Sequence, residues 1–157
     1  MLKSGKKWGK MFLNIFERSL DSKERLTIPY QFRTMLSNQV FITKGLDSCL
    51  ELRSKDSFQK YAIKLTTLSN AKKDFRLIAR HIFSNSDNPF FDKLGRIKIN
   101  KNLLNLVGIK NNLKIIGVGN RIELWDPVKW TNYFEQTKTK LEAVFEKLTD
   151  DDFKSEI

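Results

Sequence analysis

Two short stretches hold the residues best suited to chemistry. Asp21-Ser22-Lys23-Glu24-Arg25 and Asp92-Lys93-Leu94-Gly95-Arg96 each set an aspartate and an arginine four residues apart, with a lysine between them. An aspartate in a turn accepts hydrogen bonds from nearby backbone amides, so Asp21 and Asp92, with Gly95, are expected to fix two turns. A lysine neutralises phosphate as a point charge. The planar guanidinium of Arg25 or Arg96 can instead grip a phosphate or a guanine edge through two parallel hydrogen bonds. One such turn would be an ordinary solvated loop, but two with the same spacing favour contact with a polyanion.

Enzymatic readings are weaker. Asp21 and Asp92 could be imagined as a general acid and base, but equivalent positions in two turns suit a structural role better. His81 and Cys49 are the sole histidine and cysteine, and nothing places a nucleophile, a second base or a metal-ligand spacing beside either. Gly117-Val118-Gly119-Asn120 follows a strand as a dinucleotide loop does. Such a loop must open a helix, however, and Arg121-Ile122-Glu123-Leu124-Trp125 reads as strand. No catalytic residue, cofactor or metal is therefore expected.

The turns belong to a longer internal repeat. Leu26-Thr27-Ile28 answers to Ile97-Lys98-Ile99, residues 29–36 to 100–107, and 40–52 to 113–125. The offset is 71 at the aspartates, 74 at Gly45 and Gly119, and 72 at Glu51 and Glu123. Length changes thus fall in loops, where a duplicated unit tolerates them. Two copies imply one motif presented twice about a pseudo-twofold.

The elements that must position the turns follow from periodicity and caps. Residues 11–20 read as a strand led by Phe12, Leu13, Ile15 and Phe16, and 25–28 as its return. Pro29 suits the first turn of a short helix carrying Phe32 and Leu36 on one face. Residues 40–43 and 49–53 form a hairpin. Ser54 caps a helix with Phe58, Tyr61, Ala62 and Leu65 at helical spacing, which 66–70 is expected to break. A second helix over 71–83 carries an apolar stripe of Phe75, Ile78, Ala79 and Ile82. Lys72, Lys73, Arg76 and Arg80 gather on its flank, which is either a solvated helix face or a set of auxiliary phosphate contacts. Residues 84–89 are a polar connector. In the second copy a helix over 100–107 stops at Gly108, and strands over 113–118 and 121–125 meet at Gly119-Asn120. Asp126-Pro127 opens a long helix whose Trp130, Phe134, Thr137, Leu141, Val144 and Leu148 share one face. That face suits either a subunit seam or packing on its own lobe. The plan is a flexible basic extension over 1–10, a first copy with helical connector over 11–86, a second copy with C-terminal helix over 87–148, and a frayed acidic tail over 149–157.

A chain of 157 residues supports about one compact core. Its net charge is +11, and the charge is uneven: residues 54–86 hold seven cations against two acids, 126–157 five against eight. A basic middle with an isoelectric point near 9.8 is the footprint of a polyanion binder. The lone cysteine excludes an internal disulfide and suits a reducing cytosol. No apolar run approaches the roughly 18 residues of a membrane span, and the first ten residues lack the apolar core of a secretory signal. Phe12, Phe16, Phe41, Phe58 and Phe75 fall at core positions. Only Phe90 and Phe91 remain as stacking surfaces, which argues against single-strand or RNA binding.

This order of features resembles the MraZ family of bacterial transcriptional regulators, which carries a D-x-K-G-R-type motif in each of two repeats. Gly119 to Trp125 is similar to that family's ending of the second repeat, and the resemblance spans 11–148. It departs at Glu24, where the family prefers Gly, and at Asn100, where a Pro is usual. Glu24 sets an acid between Lys23 and Arg25, so the second copy is expected to contribute more to DNA binding. The resemblance implies an α+β fold of two tandem swapped-hairpin, AbrB-like β-barrel lobes, each followed by helices. It further implies a ring-shaped homo-oligomer that meets double-stranded promoter DNA with repeated sites through Lys23, Arg25, Lys93 and Arg96. The expected role is repression of its own division and cell-wall operon by a cytoplasmic, nucleoid-associated protein, with no catalysis and no evident small-molecule effector. An antitoxin-like module of the same fold, using its C-terminal segment on a protein partner, is the alternative.

Overall fold

The computed structural model describes residues 11–154; the extension expected over 1–10 and the end of the acidic tail lie outside the described residues. Strand β1 (Ile15–Ser19) alternates exposed and half-buried residues, as a strand with one covered face must. Past the first turn, β2 (Arg25–Thr27) buries Leu26 between two outward-facing neighbours. Helix α1 (Tyr30–Arg33) is a single turn that begins after Pro29 and buries Phe32. A hairpin, β3 (Phe41–Lys44) and β4 (Cys49–Arg53), leads to helix α2 (Lys55–Ala71), whose N-cap Ser54 accepts a hydrogen bond from the Ser57 amide at 3.2 Å. Then come α3 (Lys73–Ser84), the short strand β5 (Ser86–Asp87), β6 (Arg96–Lys98) and α4 (Lys101–Leu106). The hairpin of β7 (Asn112–Gly117) and β8 (Ile122–Trp125) precedes α5 (Pro127–Thr137), capped by Asp126. A 3-10 turn at Lys138–Lys140, α6 (Leu141–Glu146) and α7 (Asp150–Lys154) complete the chain.

The strands form a six-stranded antiparallel sheet, ordered β1-β7-β8-β4-β3-β5, and a separate two-stranded ladder, β2-β6. The order is the same read from either edge once the copies are exchanged. β4 and β8 pair at the centre with Glu51 opposite Glu123, and β1 answers to β5 and β3 to β7. The main core takes Leu26, Ile28 and Phe32 from the first copy and Ile97, Ile99 and Leu103 from the second. Phe32 meets the rings of Phe12 and Phe16 edge-on, at 5.5 and 5.3 Å.

Five expectations need correcting. The sheet does not close into barrels. Its edges, β1 and β5, lie at opposite ends of the strand order, and β5 spans two residues before reaching Pro89, which has no amide to donate. The connector 84–89 is not merely a loop, since Thr43 pairs with Ser86 and Ile42 with Asp87. Helix α2 runs through 66–70, with its hydroxyls folded back onto the helix's own carbonyls. Thr66 Oγ1 donates to the carbonyls of Ala62 and Ile63, and Ser69 Oγ to that of Thr66. The break comes at Lys72, which is extended (φ −131°, ψ 138°). Finally, the C-terminal helix is segmented. Trp130 anchors α5 on Trp125, with ring centres 5.4 Å apart, but Phe134 is 49% exposed, Leu141 64% and Val144 54%. The tail expected to fray starts a new helix instead, where Thr149 donates from both amide and hydroxyl to Asp152.

Replacing Phe32 by Ala should remove about 3–5 kcal/mol of stability, while Phe134→Ala should change it by about 0.5 kcal/mol or less in a monomer. Urea midpoints of the two variants test whether the core lies where both copies meet.

Candidate nucleic-acid interface

Each turn is tied by its aspartate. Asp21 Oδ1 accepts from the amides of Lys23 and Arg25, both at 2.9 Å, while Oδ2 accepts from Arg25 Nε at 2.6 Å. In the second turn Asp92 Oδ1 accepts from the amides of Leu94 and Arg96, both at 2.9 Å, and Oδ2 from Arg96 Nε at 2.7 Å. The arginine is thereby held through Nε, an arrangement that leaves the Nη edge of a guanidinium for a second ligand. The hydrogen bond from the Arg25 amide, joined by those from the Arg25 guanidinium and the Lys23 amide, holds the Asp21 carboxyl down to about 2, below its ordinary 3.8, against an opposing desolvation. The Asp92 carboxyl is lowered for the same reasons.

The fourth residue of each turn has a left-handed backbone, φ 74° at Gly95 and 55° at Glu24. Glycine adopts it freely, while a residue with a Cβ bears a cost of about 1–2 kcal/mol. Glu24 bears that cost, its carboxylate 3.4 Å from the exposed Lys101 ammonium. Gly95 has no such latitude, because a Cβ there would fall on the guanidinium of Arg33 and lie 2.9 Å from its Cδ.

The fold sets the two turns side by side. In the β2–β6 ladder Arg25 pairs with Lys98, Leu26 with Ile97 and Thr27 with Arg96. Leu26 and Ile97 are fully buried, so the other two pairs point away from the core. Arg96 Nη1 lies 3.8 Å from Asp21 Oδ2, bridging the copies. Backbone bonds repeat the symmetry, with Ile28 N donating to Gly95 O at 3.2 Å and Ile99 N to Glu24 O at 3.0 Å. Lys23 and Lys93 are exposed beside this pair of turns.

The remaining basic candidates sit elsewhere. Lys73, Arg76 and Arg80 are exposed on α3, whose main packing partners are α2 and β3 and not the ladder. Lys72 stands at the junction of the helices, where its extended backbone makes it the N-cap of α3 and not a residue within it. Sequence reasoning also passed over Lys98 and Arg33. The alternation of Ile97-Lys98-Ile99 marked Lys98 as outward-facing, whereas no local signal places Arg33 over a turn 62 residues downstream.

One buried polar cluster could be mistaken for a metal centre. Cys49 Sγ and carboxylate oxygens of Glu51 and Glu123 lie within 4.8 Å of one another. Both carboxylates are already engaged. Arg53 donates to Glu51 at 2.8 Å, Arg121 Nη2 and the Trp125 indole to Glu123, each at 3.0 Å, and Arg121 Nε sits 3.5 Å from Glu51. Burial, with Glu123 and Glu51 nearby, pushes the Cys49 thiol far above its ordinary range. Two carboxylates balanced by two guanidiniums beside a protonated thiol make a poor cation site. The cluster instead fastens the central strand pair and, through Arg53 stacked 4.1 Å over the Tyr61 ring, helix α2.

Comparison with known proteins agrees with the repeat. The family model described as "MraZ protein, putative antitoxin-like" matches twice, over residues 11–81 and 82–152. This chain belongs to the MraZ family. It is 36% identical over 137 residues to a protein of Mesoplasma florum named "Transcriptional regulator MraZ", an alignment covering 87% of this chain and 94% of that one. The two MraZ matches meet between residues 81 and 82, so β5 falls within the second match and pairs back onto β3 of the first.

Two outcomes follow for the turns. Glu24→Gly should raise stability by up to about 1 kcal/mol by relieving the left-handed backbone, since the exposed Lys101 contact contributes little. Gly95→Ala should lower it by more than that, because Arg33 must also move; melting temperatures of the two variants should shift in opposite directions. The lowered Asp21 pKa gives a stabilisation fully present above about pH 4 and lost as pH falls toward about 2. Asp21→Asn should therefore flatten the acid limb of a stability-against-pH curve between those values.

Proposed function

We propose that this chain is a sequence-specific DNA-binding transcriptional regulator, most simply a repressor of its own operon, acting on the nucleoid in the cytoplasm. One observation carries the reading: two arginines, each clamped through Nε by its own aspartate, stand side by side on one exposed ladder. A guanidinium fixed in this way loses little entropy on contact and can read guanine O6 and N7 in the major groove. Arg25 and Arg96 are the base-reading candidates, and Lys23 and Lys93 the adjoining phosphate contacts. Lys72, Lys73, Arg76 and Arg80 supply auxiliary phosphate contacts on a separate surface. The relative named a transcriptional regulator supports this reading.

Several copies assembled in a ring would set several turns against closely spaced repeated sites, summing modest contacts through effective concentration. The exposed apolar residues of the C-terminal segment, Leu141, Val144, Phe145 and Leu148, suit such self-association. The same residues favour a second reading, an antitoxin-like module that binds a protein partner. Co-purification of a small partner chain on that segment, with no DNA selectivity, would select it.

The test is a titration against a duplex from the chain's own upstream region, with a scrambled duplex as control, at several salt concentrations. Selective binding should weaken steeply with salt, the log–log slope falling by about 0.9 per phosphate contacted. Arg96→Ala should lose about 1–3 kcal/mol of binding, and Arg25→Ala less, because Glu24 adds a negative charge beside it. Equal binding to both duplexes would overturn the regulator, and a monomer in light scattering at micromolar concentration would overturn the ring.

A further inference from the structure

The outward face of the β2–β6 ladder holds four side chains, and the turns account for two of them. Arg25 faces Lys98 across the ladder and Thr27 faces Arg96. Thr27 and Lys98 are equivalent in the repeat, each two residues beyond its arginine, and both are exposed. Buried positions on the ladder repeat closely, Leu26 with Ile97 and Ile28 with Ile99, whereas this exposed position does not. Lys101 and Lys114 lie beside carboxylates; Lys98 has no carboxylate partner among the described residues.

The dimensions suit a duplex. Residues i and i+2 of a strand lie about 6.8 Å apart, the rise of two base steps at about 3.4 Å each. Directly opposed side chains are about 5 Å apart, so the four-residue face fits a major groove about 12 Å wide, which admits a two-stranded ribbon. A ribbon entering with Arg25 and Arg96 foremost cannot keep Thr27 and Lys98 off the DNA.

Resting on the reading of this chain as a duplex-DNA binder, we infer that Thr27 and Lys98 complete the contact face and do so unequally. Lys98, beside Arg25, adds a phosphate contact that strengthens binding to any sequence. Thr27, short and beside Arg96, lets that guanidinium approach the base edges and can itself meet a thymine methyl. One half of the ribbon thus contributes affinity and the other selectivity, although the two halves share a backbone.

The repeat supplies the variants. Lys98→Thr and Thr27→Lys each place in one copy the residue that the other already carries at the same register, so the ladder should fold normally, with melting curves as the check. In the salt titration, Lys98→Thr should weaken specific and scrambled duplexes alike and reduce the log–log slope by about 0.9. Thr27→Lys should tighten binding to both duplexes while lowering their ratio about tenfold, as a long cation stands in front of Arg96. An unchanged slope and affinity for Lys98→Thr, or an unchanged ratio for Thr27→Lys, would overturn the corresponding assignment. Arg96→Ala, run alongside, separates the levels. If it abolishes selectivity while both exchanges are silent, this inference fails and the regulator stands; if the unaltered protein does not distinguish the duplexes, both fail.

Discussion

Most of the backbone pairing in this fold joins one copy of the repeat to the other. β1 pairs with β7, β2 with β6, β4 with β8 and β3 with β5; only the two hairpins are internal to a copy. A copy alone would leave its ladder amides and carbonyls without partners, and strands this short cannot hold a sheet by themselves. The constraint fixes everything downstream. The core has to be common to both copies, and the two turns have to emerge next to each other, because their following strands are each other's only partners in the ladder.

The proposed function draws on that enforced neighbourhood. Asp21 and Asp92 satisfy two amides each, and the same carboxylates orient Arg25 and Arg96. Backbone order and side-chain order therefore come from one interaction, which places the guanidiniums on a rigid support and not on a mobile loop. The pseudo-twofold then doubles the device. At the sheet centre the opposed Glu51 and Glu123 follow the same symmetry. Each finds its own cation, Arg53 or Arg121, and without these the pair would be two like charges buried face to face.

How much of this was legible in the sequence differs by element. The repeat was, since its aspartates, arginines and flanking alternation survive at nearly constant offset. Both hairpins and their caps were as well, being set by turn residues and period. The β5 strand was not: Ser86-Asp87 has no apolar side chain to announce it and pairs only because symmetry brings it to the edge that β1 occupies on the other side. Residues 66–70 look like a break by composition, yet the helix continues through them, their Thr and Ser hydroxyls bonded to its own carbonyls. The placement of Arg33 over Gly95 is a long-range packing fact that no local pattern encodes. Of the candidate site, the turn residues were readable from spacing, and Lys98, proposed beside them, only from the strand that carries it.

The unequal edges of the large sheet bear on how the molecule behaves when crowded. On one side β5 is two residues long and ends toward Pro89, which offers nothing to an incoming strand. On the other, β1 runs five residues with Ile15 exposed. Fibre growth by strand addition needs two usable edges, one to receive and one to pass on. Here a strand added at β1 would meet its own kind and close a pair, and the blunted far side would give the next molecule no place to attach. The shorter second copy of the strand would thus act as a terminator, confining any such misassociation to a finite complex.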